Sequence, residues 1–164
     1  MVASAAGTAF GVCLLDSGPG AGRKVIDMNH TPVSKLSSPP TMHKPVGYSH
    51  IAEVTRGKLI YIAGQIAIDV EGNLVGKDDF AAQTRQVFAN LAAALGAAGA
   101  TFAHVVKLNC YCADTVDLEA ELSTFRAVRN EFVNTSAPPA STFVVVRRLV
   151  RPEWLIEIEA VAAV

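Results

Sequence analysis

The chain closes on "LIEIEAVAAV", an apolar run that carries two glutamates, Glu157 and Glu159. Side chains alternate across an extended strand, so Glu157, Glu159 and Val161 share one face while Ile156 and Ile158 share the other. A carboxylate held in such a strand is a candidate general acid or base. The plainer alternative is a half-buried strand whose carboxylates face water or meet cross-strand arginines such as Arg147 and Arg148. At roughly 7 Å apart along the strand, both carboxylates can hardly touch one reacting atom. His50 offers an imidazole able to exchange protons near physiological pH, or simply a hydrogen-bonding histidine at a strand edge. Cys110 and Cys112 lie two apart on one face of an apolar run, badly placed to bridge each other. Together with Cys13 they read as free thiols in a reducing compartment, which points to the cytoplasm. No histidine completes the Cys/His spacing that a four-ligand zinc site needs, so no metal is expected.

The elements that would position these groups begin near Gly47. "IAEV" and "KLIYIAGQIAI" have the pattern of two strands joined at Arg56-Gly57, and "DVEGNLVG" supplies a turn centred on Gly72-Asn73. Phe80, Thr84, Val87, Phe88, Leu91, Leu95 and Ala98 then recur at helical spacing, with Asp78 or Asp79 able to cap the start and Gly99 the end. "HVVKLNCYCAD" predicts a strand. Leu118, Leu122, Phe125 and Phe132 predict a second amphipathic helix. "STFVVVRRL" and "LIEIEAVAAV" are the last two strands, on either side of the turn "VRPEW". The order is β-β-α-β-α-β-β, an α+β sheet with two helices on one face. Those helices cover only that face, yet "TFVVVRRL" carries valine on both of its own. The second face is expected to bury itself by self-association, which would set a ligand site at a subunit boundary.

Composition narrows the classes. A chain of 164 residues, 51% hydrophobic, builds one domain with a real core. A formal net charge of -1 with no long basic run argues against nucleic acid as a partner. No stretch reaches the roughly 20 apolar residues of a membrane span, and the N-terminal "AAGTAFGVCLLDSG" lacks the basic flank of a signal peptide. Residues 1–45, rich in Ala, Gly, Ser and Pro, read as a flexible tail, leaving 46–164 as the domain. Met28 is a second candidate translation start.

The residues "GYSH", "YIAGQI", "DFAAQTRQVFANLAAALGAAGATFAHVVKLNCY", "PPAS" and "LIEIEAVA", in that order, resemble the Rid (reactive intermediate deaminase, YjgF) family. The resemblance implies a chorismate-mutase-like fold, a homotrimer built around a central barrel, and small-molecule ligands in three inter-subunit clefts. It also implies hydrolysis of imines and enamines to a keto acid and ammonia, without a cofactor. Active members clamp the substrate carboxylate with an arginine in a "PAR" segment, where this chain reads Pro139-Ala140-Ser141. Serine cannot make the paired, charged contact of a guanidinium, and losing a buried partner of that kind costs about 2–5 kcal/mol. The usual 2-imino acids are therefore expected to be poor substrates.

By the same resemblance, Glu157 falls where the family positions its attacking water, and Glu159 is left a structural role. His50 takes the place of a tyrosine in active members, and Ala63 that of a serine. Glu157 and His50 are the catalytic candidates, with Tyr48, Gly64, Ser141 and Phe143 lining the substrate. Tyr48 is equally readable as packing. Ser141 has no base in view, so it reads as a small residue that leaves room beside Phe143 rather than as a nucleophile. Neither a catalytic histidine pair nor a basic groove supports the ribonuclease activity sometimes attached to the family name. The alternative to an imine or enamine hydrolase is a trimeric small-molecule-binding or holdase-like protein without turnover.

Overall fold

A strand at Ser34–Ser37 (β1) precedes every strand that the sequence pattern picks out. It pairs antiparallel with β2 (Ile51–Val54), Ser34 opposite Val54 and Ser37 opposite Ile51, and Thr55 N donates to the Val33 carbonyl at 2.9 Å. The expected tail boundary at residue 45 is thus too late for this segment. "SKLS" is short and mostly polar, and backbone pairing rather than a hydrophobic period holds it. The computed structural model describes residues 33–164; Cys13, Met28 and the rest of residues 1–32 of the expected tail lie outside the described residues.

After β2 the chain runs through β3 (Leu59–Gln65), α1 (Phe80–Ala97), a 3-10 turn at Phe102–His104, β4 (Val105–Ala113), α2 (Leu118–Asn130), β5 (Ala140–Val146) and β6 (Ile156–Ala163). The four later strands form one sheet in the order β3-β6-β4-β5, antiparallel except for the β4–β5 pair. Two pairs of strands that are consecutive in the chain, with no helix between them, are not neighbours in a sheet. β2 and β3 are not partners: the Arg56-Gly57 turn, with Gly57 at φ 94°, passes the chain from one sheet to the other. Nor does "VRPEW" close a hairpin, because β4 lies between β5 and β6. A strand, helix, parallel strand unit needs its helix as the crossover, and α2 is that crossover.

Both helices pack on one face of the sheet, as the periodicities predict. The Asp79 side chain caps α1 by accepting from Ala82 N at 2.9 Å, and Gly99, at φ 75°, ends its last turn. Val87, Phe88, Leu91 and Leu95 meet Ile156, Ile158, Ala160 and Ala162 of β6 and Leu108, Cys110 and Cys112 of β4. Phe132 lies just past the end of α2 yet still stacks on Phe88, ring centroids 5.3 Å apart. No helix among the described residues is long and apolar enough to cross a membrane.

Two polar side chains of α1 secure the segments that matter for the site. Fully buried Gln83 donates to the Gly76 and Glu153 carbonyls at 3.1 and 2.9 Å and accepts from Leu155 N at 2.9 Å, holding the entry to β6. Asn90 donates to the Ile66 and Ile68 carbonyls, both at 2.9 Å, and so holds the exit from β3. The helix-free face of the sheet carries Tyr61, Lys107, Asn109, Tyr111, Glu157, Glu159 and Val161, and Tyr61 is 76% exposed.

Candidate functional site

Glu157 sits where β6 meets an irregularity in β3. The register between them shifts between Ile62 and Gln65, and the displaced residues are Ala63 and Gly64. A Cβ on Gly64 would overlap the Glu157 carboxylate, falling 2.8 Å from its Cδ and 2.9 Å from its Cγ. The carboxylate therefore rests against backbone that only glycine leaves open. It has no hydrogen-bond or ion-pair partner among the described residues. Burial, and then the charge of Glu159, raise its pKa above the ordinary value. A half-buried carboxylate without a fixed partner and with raised basicity is suited to taking a proton from water.

Glu159 is differently placed. Its Oε1 accepts from Asn109 Nδ2 at 2.7 Å and from the Tyr111 hydroxyl at 3.2 Å, both side chains of the neighbouring β4. These two fill the role expected of Arg147 or Arg148, which lie beyond the end of β5 at Val146. Burial and the nearby Glu159 carboxylate raise the Tyr111 pKa, which keeps that hydroxyl a donor. Beside Glu159, the helix-free face holds an open depression of about 540 Å³, lined by Tyr61, Ala63, Lys107, Asn109 and Val161.

His50 and Tyr48 belong to a separate cluster, built with His43. His43 Nε2 and the Tyr48 hydroxyl are 2.8 Å apart, and His50 Nε2 lies 3.0 Å from the His43 carbonyl. A carbonyl only accepts, so Nε2 of His50 is the donor in this contact, and Nδ1 is the ring nitrogen it leaves open. The His43 and His50 rings meet edge to face at 4.7 Å, a histidine contact that sequence spacing did not reveal. Ser49 bridges to Ala140 at the outer edge of β5, whereas Glu157 lies across β4 and four positions further along, opposite Tyr111 and Val144. Strand spacings put His50 and Glu157 roughly 20 Å apart within one chain. One ligand can meet both only if two copies contribute.

Ser141 and Phe143 form a third group, on the helix-covered side of the sheet and therefore on the face opposite Glu157. Phe143 packs edge to face on Phe125 of α2, centroids 4.7 Å apart. The Ser141 hydroxyl faces the thiol of Cys110. Burial pushes that thiol up to about 12, against smaller lowering effects of Arg129, Lys107 and Ser141, and lifts Cys112 to about 11. Both are free thiols and both are buried, so neither is a nucleophile at neutral pH. Arg129 of α2, only 9% exposed, reaches the same region, and a Cβ on Gly47 would meet its guanidinium. Sequence reasoning missed Arg129. The signal was there: it follows Phe125 by four on the apolar stripe of α2, a position where charge is out of place.

The "Endoribonuclease L-PSP" family model matches residues 41–164. A RutC family protein of Pyrococcus abyssi is 39% identical over 120 residues, which span 73% of this chain and 88% of that protein. A 2-iminobutanoate/2-iminopropanoate deaminase of Salmonella typhimurium is 32% identical over 113 residues, 69% of this chain and 85% of the enzyme. Among solved structures, a protein of unknown function from Yersinia pestis, described as of the conserved Rid family, superposes with a TM-score of 0.72 at 39% identity. That match covers 81% of this chain and all of the other.

Proposed function

This chain belongs to the Rid/YjgF family, and we propose that it hydrolyses small imines or enamines to a carbonyl compound and ammonia in clefts between the subunits of a homotrimer. The observation that carries this reading is the unpartnered, half-buried Glu157 carboxylate held against Gly64. Glu157 takes a proton from water as its oxygen bonds to the C=N carbon, and returns that proton to nitrogen. The carbinolamine then collapses to the carbonyl product and releases ammonia, so water is the only co-reactant. Tyr48 and His50 of one copy and Gly64 and Glu157 of another are the groups a boundary cleft would unite, with Ser141 and Phe143 on its wall. His50, with Nε2 donating to the His43 carbonyl, presents Nδ1 as an acceptor for the N–H of the leaving amine.

Ser141 supplies no positive charge, so the carboxylate of a substrate is absent or held from another direction than in relatives with an arginine there. The 2-imino acids named for the Salmonella relative are accordingly weaker substrates here. Purified protein would be incubated with imines generated in place by an amino acid oxidase, and ammonia release followed against the spontaneous rate. Acceleration that disappears in Glu157→Gln is the expected result. Binding of the same compounds without any acceleration would replace the hydrolase reading by the non-catalytic one.

A further inference from the structure

Among the described residues Arg129 is the only buried charged side chain, and nothing of opposite charge lies beside it. Its Nε and Nη2 donate to a single acceptor, the Asn130 side-chain oxygen, at 3.2 and 2.8 Å. Nη1 has no hydrogen-bond partner there. Every fully buried side-chain nitrogen and oxygen among the described residues does have one, so Nη1 keeps an opening to solvent. A guanidinium carries five donors, and desolvating it without a counter-charge costs several kcal/mol. Burial lowers the Arg129 pKa, and the like charge of Arg126 adds to that effect. Nothing among the described residues offsets this arrangement.

The surroundings say what would. The guanidinium lies against the backbone of Gly47, where a Cβ would fall 2.8 Å from Nη1 and 2.9 Å from Cζ. It is also close enough to Cys110 to act on its thiol, as Ser141 does. A cation, a hydroxyl and a side-chain-free backbone thus converge at the start of β5. We propose that Arg129 is a carboxylate receptor, its planar fork binding the ligand's two carboxylate oxygens from helix α2 with the Ser141 hydroxyl as a further donor. This rests on the imine-hydrolase reading for the identity of the ligand. It gives the positive charge a different origin from the strand position that Ser141 occupies, and so a different approach to the substrate.

The test reads binding rather than turnover. Calorimetric titration of the full chain with 2-oxobutanoate, its neutral amide 2-oxobutanamide and inorganic phosphate compares ligands that differ in charge and shape. Wild type should bind the acid about tenfold or more tightly than the amide. Arg129→Gln should bring that ratio close to one, and Arg129→Lys should keep part of it, with thermal unfolding confirming that each variant is folded. An acid-to-amide ratio near one in wild type, which needs no variant to interpret, would overturn the proposal, as would phosphate binding more tightly than the acid. An unchanged ratio in folded Arg129→Gln would overturn it too. Lack of imine hydrolysis leaves this binding test standing, and loss of the acid preference leaves the hydrolysis assay unaffected.

Discussion

The carboxylate of Glu157 occupies the space that a side chain at Gly64 would need. One residue is thus small so that the other can face an open, helix-free sheet surface. Replacing Gly64 by alanine forces the carboxylate or the β3 irregularity to move. Overpacking of this kind costs about 1–3 kcal/mol. Gly64→Ala should lower the unfolding temperature and reduce imine hydrolysis further than the remaining folded fraction explains. Retention of full activity per folded molecule would mean that the contact does not position the carboxylate.

Glu157→Gln keeps size and polarity but removes the base. Hydrolysis should fall by about 10²–10⁴-fold on whichever substrate proves active.

The same substitution has a predicted pH signature. Because the folded-state pKa of Glu157 is raised, the folded protein holds this proton more tightly than the unfolded chain. Its contribution to stability is full below the unfolded carboxylate pKa and is lost as pH rises through the higher folded value. Glu157→Gln should therefore be at least as stable as wild type at pH 7, with the advantage shrinking on acidification. Thermal unfolding at pH 4 and pH 7 decides it; a variant less stable at pH 7 than at pH 4, relative to wild type, contradicts the assignment.

Glu159→Gln should leave turnover nearly intact. An amide oxygen still accepts from Asn109, so the loss of stability should stay within about 1 kcal/mol. Parallel assays of rate and chemical denaturation separate the two glutamates. A rate loss as large as that of Glu157→Gln would shift the catalytic role to Glu159.

Gln83→Leu keeps the volume but leaves the Gly76 and Glu153 carbonyls and Leu155 N without their partner in the interior. Each such loss costs about 1–3 kcal/mol. Denaturant titration should show a destabilisation of several kcal/mol, larger than for any substitution at Glu159. A change below about 1 kcal/mol would show that water replaces the amide.

The β-β-α-β-α-β-β order, both helix stripes, an aspartate cap at Asp78 or Asp79 and the face shared by Glu157 and Glu159 were all legible in the sequence, because each follows from local periodicity or from neighbours within about four residues. The family was legible for a related reason: its motifs are contiguous strings. What tertiary structure alone decided is which distant segments meet. β1 was invisible because backbone pairing with β2 leaves no side-chain pattern. β5 lies beside β4 rather than β6 because the α2 crossover makes the pair parallel. Strand order and register together separate His50 from Glu157 and set Ser141 on the opposite face. Arg129 is legible as an anomaly on its helix, but its lack of a counter-charge is a fact about every element packed around it. Local rules assign a residue to an element and a face; they carry no information about the charge, or the empty space, that a sequence-distant neighbour brings to it.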